Sequence, residues 1–259
     1  MRQPPIFFMG SLPHSTPAEA IEFVKKHSNH LPFLPQLPET NPQEDMIGQV
    51  LRGIELGYWD EKASSCLELF QNEFVDAERF KIQIAGPYTV ARSLSTKFVD
   101  LAPQWVTFWR GLRKQLNEAS FQGELWLQID EPFWSLDKDL PDGYTAFLQA
   151  VKEVGGKIKM GIHSCASKRP PLFPDHVKIL DFFAFDFSNE EMSSSEVALW
   201  THLLGNDGKT LIYGGLSGQQ DLKLPILAQS PQFWVSSPCG FYGWDTNELE
   251  LAIKRWDRS

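Results

Sequence analysis

The chain has little of what a secreted or membrane protein would show. Cysteine occurs 3 times in 259 residues. So low and odd a count argues against a disulfide framework. No stretch approaches the roughly 18 apolar residues of a transmembrane helix. The opening Met1-Arg2-Gln3-Pro4-Pro5 runs straight into a short apolar segment, without the long apolar region and small-residue cleavage site of a signal peptide. A cytoplasmic protein with no membrane partner is the expectation. Basic residues are also in deficit. Lys and Arg total 24 against 33 Asp and Glu, a net charge of −9. That sign is wrong for a broad nucleic-acid surface. Glycine-rich phosphate cradles are missing too: neither Gly-x-Gly-x-x-Gly nor a Walker pattern follows any apolar run.

What is present is an ordinary globular mixture, 42% hydrophobic and 22% charged. The 9 Trp and 19 Phe imply a bulky apolar core. No low-complexity linker divides the chain, so residues 1–259 read as one domain.

Short apolar runs alternate with helical patterns. The candidate strands are 6–11, 33–37, 81–86, 125–130, 157–163, 182–187, 210–215 and 233–237. Several are nearly continuous apolar runs, as strands buried on both faces should be. Helices are expected over 17–26, where Ser15-Thr16 precede Pro17, and over 44–56, with Met46, Ile47, Val50, Leu51 and Ile54 on one stripe. Others are expected near 103–119, 144–154, 193–204 and 247–256, with an extra helix within 58–80. Eight strands in about 250 residues fit an α/β fold of one (β/α)8 TIM barrel. A doubly wound open sheet is the alternative, because alternation alone does not tell closure from openness.

A barrel gathers its chemistry where the strands end. The candidate strand ends carry Gly10-Ser11-Leu12-Pro13-His14, Gly86-Pro87-Tyr88-Thr89, Gln128-Ile129-Asp130-Glu131-Pro132, His163-Ser164-Cys165, Phe185-Asp186-Phe187, Gly214-Gly215-Leu216-Ser217 and Pro238-Cys239-Gly240. His163, Cys165 and Cys239 are ligand types that zinc prefers, and three protein ligands leave a fourth position open. The plain alternative is a core histidine beside small buried cysteines. Cys66, inside the expected helix of 58–80, reads as a packing residue. Asp186 is either an extra ligand or a proton acceptor. Of Asp130 and Glu131 only one can face the barrel axis, because successive strand residues point opposite ways. That carboxylate either holds a substrate ammonium or caps the next loop. His14 reads as a loop histidine or a catalytic one.

These segments, in this order, resemble the C-terminal catalytic barrel of cobalamin-independent methionine synthase, in the superfamily that also holds uroporphyrinogen decarboxylase and zinc-dependent methylcobamide:thiol methyltransferases. The resemblance covers nearly the whole chain. It implies a TIM barrel whose zinc binds a substrate thiol, with His163, Cys165 and Cys239 as ligands. Asp186 falls where the methionine synthases carry a glutamate ligand. Asp130 matches the aspartate that holds the amino group of homocysteine, joined by Glu131 as a substrate-binding candidate, and Ser11 lies in the loop that contacts the carboxylate. The chain departs from the pattern in three places. Leu216 stands where the family has a catalytic histidine, the strand-two glutamate has no clear counterpart near Leu37 and Glu39, and the 259 residues are expected to make one barrel, without the second, folate-binding barrel of the full methionine synthases.

The implied activity is therefore zinc-dependent methyl transfer to a small-molecule thiol, homocysteine giving methionine, with methylcobalamin or a corrinoid protein as donor instead of folate. Alternatives are a coenzyme M-like thiol, or a barrel that binds zinc or a corrinoid without turnover. A uroporphyrinogen-type decarboxylase would need arginines clamping carboxylates at the mouth. The strand ends hold none, and Arg92 and Arg169 lie just beyond them.

Overall fold

The computed structural model describes residues 3–27, 29–136, 140–165, 172, 174–188, 191–217, 222, 224–241 and 243–256. Arg169 lies outside them. The helices are α1 (Pro17–Lys26), α2 (Met46–Leu56), α3 (Leu67–Phe74), α4 (Pro87–Ser93), α5 (Phe98–Glu118), α6 (Tyr144–Gly155), α7 (Pro174–Ile179), α8 (Ser194–Gly205) and α9 (Thr246–Trp256). The strands are β1 (Arg79–Ala85), β2 (Glu124–Asp130), β3 (Ile158–Ser164), β4 (Phe182–Asp186), β5 (Thr210–Gly214) and β6 (Phe233–Ser236). They form one parallel sheet in chain order. α-Helices lie between successive strands from β1 to β5, and among the described residues a short 3-10 turn, Ile226–Gln229, lies between β5 and β6, so the fold is α/β and matches a partial barrel. No described helix is long and apolar enough to cross a membrane.

The complete ring of eight regular strands expected from the sequence is not formed. Segments 6–11 and 33–37 are reduced to single parallel bridges, Ile6 with Val235, Ser11 with Gln36 and Phe33 with Lys81. Proline is the physical reason. Pro35 interrupts 33–37 and lacks the N–H that a ladder needs there, Pro32 and Pro38 bound that segment, and Pro4 and Pro5 stop regular pairing from extending ahead of 6–11. Gly10, at φ +134°, adds a conformation outside the strand region. The backbone bonds that remain are well made. Phe7 N donates to Val235 O at 2.7 Å, Lys81 N to Pro32 O at 2.7 Å, and Leu12 N to Gln36 O at 2.9 Å.

Local signals place most helix starts. Thr16 and Glu19 make a reciprocal capping box with Pro17 at the first helical position of α1. Asp45 caps α2 through Ile47 N and Gly48 N, so that helix begins two residues later than expected and ends at Gly57, φ +81°. Helix α5 begins at Phe98, ahead of Pro103. The proline costs one helical bond, to the carbonyl of solvent-facing Val99, while Phe98, Leu101 and Ala102 are buried. Burial outweighs the one bond. Within 58–80 the extra helix is α3, and Cys66 sits fully buried just before it.

Packing divides into two layers. Outward-facing residues such as Ile82, Ile84, Leu127, Ile129, Ile162 and Phe183 join the helices in the main core. On the concave side Phe7, Met9, Leu31, Trp126, Phe182, Ala184, Ile212 and Trp234 form a separate cluster. Trp126 stacks on Phe182 at 5.3 Å between ring centroids, and Phe7 and Trp234 lean against them. This aromatic plug fills the interior below the polar strand ends.

Candidate metal centre

Strand β3 carries His163 one residue before its end, and Cys165 is the next residue after the strand. Cys239 follows the end of β6 by three residues. The ligand atoms of His163, Cys165 and Cys239 all lie within 4.8 Å of one another. Two imidazole- and thiolate-bearing strand ends, far apart in sequence, therefore converge on one point.

The histidine is oriented for the task. Its Nδ1 lies 3.3 Å from the Ala184 carbonyl, where Nδ1–H donates, and the ring also hydrogen-bonds the Cys239 sulfur. A backbone carbonyl on one ring nitrogen and a candidate metal position at the other is how ligating histidines are held. Burial lowers the His163 pKa, but the Cys239 hydrogen bond and the Asp130 charge together raise it above the usual value. Hydrogen bonds from Cys165 and His163 pull the Cys239 thiol down to about 4, while the bond to Cys239 and burial push Cys165 up. The two sulfurs share a hydrogen bond, and a metal bound there would displace the thiol protons. With a soft N/S donor set of this spacing, the residues fit a tetrahedral metal with one open position.

The loop carrying Cys239 is held by close contacts. Ser237 Oγ donates to the Cys239 carbonyl. Phe241 N donates to Ser11 O at 3.0 Å, and a Cβ on Gly240 would overlap Ser11 Oγ. A side chain there would force Ser11 Oγ aside, so Ser11 lies close against the cysteine loop.

Asp130 and Glu131 part company as the pleat requires. Asp130 pairs with His163 in the β2–β3 register and its carboxylate lies on the concave side, 7% exposed. Burial raises its pKa, opposed by His163, Gln128 and Lys81. Glu131 turns the other way into the wall. It accepts hydrogen bonds from Tyr88 N (3.1 Å), Thr89 N (2.7 Å), Thr89 Oγ1 (2.6 Å) and Tyr144 Oη (3.1 Å). Burial pushes it up to about 7 despite those donors. It ties the start of α4 and α6 to the end of β2, away from the His–Cys–Cys group.

The other candidates are placed as follows. Asp186 ends β4 but accepts from Ser188 N at 2.7 Å and Ser188 Oγ at 2.6 Å, outside the ligand group. His14 packs against Phe23 of α1, and burial lowers its pKa. Leu216 is buried in the main core. Glu39 accepts from Gly243 N at 2.9 Å, and the Arg92 guanidinium lies over the Phe133 ring.

One cluster went unread in the sequence. Lys81, 1% exposed, donates from Nζ to Met9 O (3.0 Å), Gln83 Oε1 (2.9 Å) and Gln128 Oε1 (3.1 Å), and Gln128 Nε2 reaches Asp130 Oδ1 at 2.6 Å. Burial pushes Lys81 down to about 7, and Asp130 opposes this. The signal was available: Arg79, Lys81 and Gln83 alternate with Phe80, Ile82 and Ile84 in a strand whose two faces are both covered.

No family model and no curated protein sequence matches the chain. Among solved structures it is similar to a B12-independent methionine synthase from Shewanella sp. W3-18-1, determined in complex with selenomethionine. The TM-score is 0.52 at 15% sequence identity, over 71% of this chain and 64% of that one, so the match takes in somewhat under two thirds of the neighbour's length. At that identity the likeness is one of fold.

Proposed function

We propose that the protein is a zinc-dependent methyltransferase that moves a methyl group to a small thiol, with homocysteine as acceptor and a methylcorrinoid as donor. The observation that carries this reading is the convergence of His163, Cys165 and Cys239 at the ends of β3 and β6. The fold likeness to a methionine synthase supports it. So does the residual pairing at Ile6, Ser11 and Phe33, which fits a (β/α)8 barrel with two staves pared to single bridges.

Zinc held by the three residues would acidify a thiol and keep it nucleophilic at neutral pH. The chain's own groups do the rest. Asp130, on the concave side beside His163, holds the substrate ammonium. Ser11, against Gly240, faces the carboxylate end. Asp186, at the end of β4, passes the thiol proton on to solvent after releasing Ser188. Glu131 serves by holding the wall and not by touching substrate.

A second reading, a barrel that binds zinc or a corrinoid without turnover, is favoured by one observation. Leu216 is buried in apolar core where the resembled family places a catalytic histidine. The two readings separate in one assay. Purified protein is mixed with homocysteine and methylcobalamin, and both methionine and demethylated cobalamin are measured. Stoichiometric formation of both, lost in Cys239→Ser, is expected for the enzyme. Tight zinc with no methionine from any donor would leave the binding barrel.

A further inference from the structure

Beneath the candidate site lies a buried cation that the proposed chemistry does not use. Lys81 sits on the concave face of β1, flanked by the rings of Phe7 and Phe33 at 5.0 and 5.8 Å. Its three acceptors are Met9 O, Gln83 Oε1 and Gln128 Oε1. An ammonium has three hydrogens and no lone pair, so each neighbouring amide must present its oxygen. The NH2 groups are then forced outward. Gln83 Nε2 donates to Leu34 O at 2.9 Å, and Gln128 Nε2 donates to Asp130 Oδ1 at 2.6 Å. Gln128 cannot flip its amide without setting N–H against N–H at Lys81 and oxygen against oxygen at Asp130. Among the described residues Gln128 is the hydrogen-bond donor to Asp130.

The arrangement has a consequence for recognition. A lysine paired directly with Asp130 would occupy and neutralise the carboxylate. With Gln128 between them, the lysine orients the carboxylate through one oxygen and leaves its other oxygen to a second cation. Filling the same space with methionine would avoid the desolvation penalty of burying a charge. The polar chain from Lys81 to Asp130 ends where β2 and β3 place Asp130 opposite His163.

We propose that Lys81 is a positioning residue for substrate, which through Gln128 fixes Asp130 as the acceptor of an ammonium and so selects thiols that carry an amino group. This rests on the reading of Asp130 as the amino-group partner. Lys81 itself does not touch the substrate.

The test is calorimetric binding to the zinc-loaded protein, with homocysteine and with 4-mercaptobutyrate, which keeps the thiol and carboxylate but lacks the amino group. In Lys81→Met, affinity for homocysteine is expected to fall about 10- to 100-fold, the worth of one hydrogen bond to a charged group. Affinity for 4-mercaptobutyrate and zinc content are expected to stay as in wild type. Gln128→Met, which cuts the same chain while leaving Lys81 two of its acceptors, is expected to give the same selective loss, and it decides the matter should Lys81→Met fail to fold. Equal losses for both thiols, or unchanged preference in both variants, would overturn the role of Lys81. A wild-type protein that binds the two thiols alike, or neither, would instead overturn the Asp130 reading and the proposal with it. That result is seen before any substitution is made.

Discussion

Glu131→Gln separates a structural carboxylate from a substrate-binding one, and its signature is a pH dependence. Glu131 is fully buried and its pKa stands at about 7 against an ordinary 4.5. Between those values the folded protein keeps a proton that the unfolded chain has released. Stability therefore falls as pH rises through that window, and the cost is fully present above it. At 1.36 kcal/mol for each pH unit, the gap amounts to about 3 kcal/mol. Glutamine cannot titrate. It also cannot accept all four of the hydrogen bonds at Tyr88, Thr89 and Tyr144, which adds a pH-independent loss of about 1–3 kcal/mol. Urea denaturation of both proteins from pH 4.5 to 8 should show wild type ahead by about 1–3 kcal/mol at acid pH, with that lead gone or reversed by pH 8. Other titrating groups cancel in the difference. A lead that stays flat across the range would refute the reasoning. So would a variant of unchanged stability at every pH that has lost thiol binding, because Glu131 would then face the substrate.

Three further substitutions probe the packing at the site and away from it. Gly161→Ala places a Cβ against the ring of Phe182 inside the aromatic plug; overpacking should cost about 1–3 kcal/mol, or about 2–12 °C in Tm, read by calorimetry. Gly240→Ala drives a Cβ onto Ser11 Oγ and displaces the Cys239 loop; zinc affinity should drop with little change in Tm, measured by chelator competition. Cys66→Ala removes a fully buried sulfur far from the ligand group; it should cost about 1 kcal/mol and leave zinc content unchanged.

How far the molecule was legible in its sequence depended on which force decided each element. β4, β5 and β6 were readable as nearly continuous apolar runs because both faces are covered, and β1, β2 and β3 as apolar residues recurring along the outward face. Segments 6–11 and 33–37 carry the same apolar signal, but Pro35 withholds an N–H in one and Gly10 leaves the strand conformation in the other, and counting apolar residues does not weigh hydrogen bonds. The start of α5 was misplaced for the opposite reason: Pro103 read as a helix start, and tertiary burial of Phe98 and Leu101 overrode it. At the site, ligand chemistry and strand-end position were enough to pick out His163, Cys165 and Cys239 as a group. The pleat allows one of Asp130 and Glu131 to face inward, but not which one; the register with His163 decides for Asp130. The shorter carboxylate of Asp186 is taken by Ser188, a local turn that residue type does not reveal. Lys81 and Gln83 were passed over because a charged residue in a buried strand has meaning only once its acceptors are known, and two of the three, Met9 and Gln128, lie on other segments.

The central claim is that His163, Cys165 and Cys239 form a zinc centre that activates a thiol. The most direct test measures zinc in the purified protein beside Cys239→Ser, then the protons released when homocysteine is added to each. One zinc per chain in wild type, lost in the variant, with one proton released per site on adding homocysteine, is the predicted result. A wild-type protein without zinc, or with zinc that homocysteine leaves unperturbed, would contradict it.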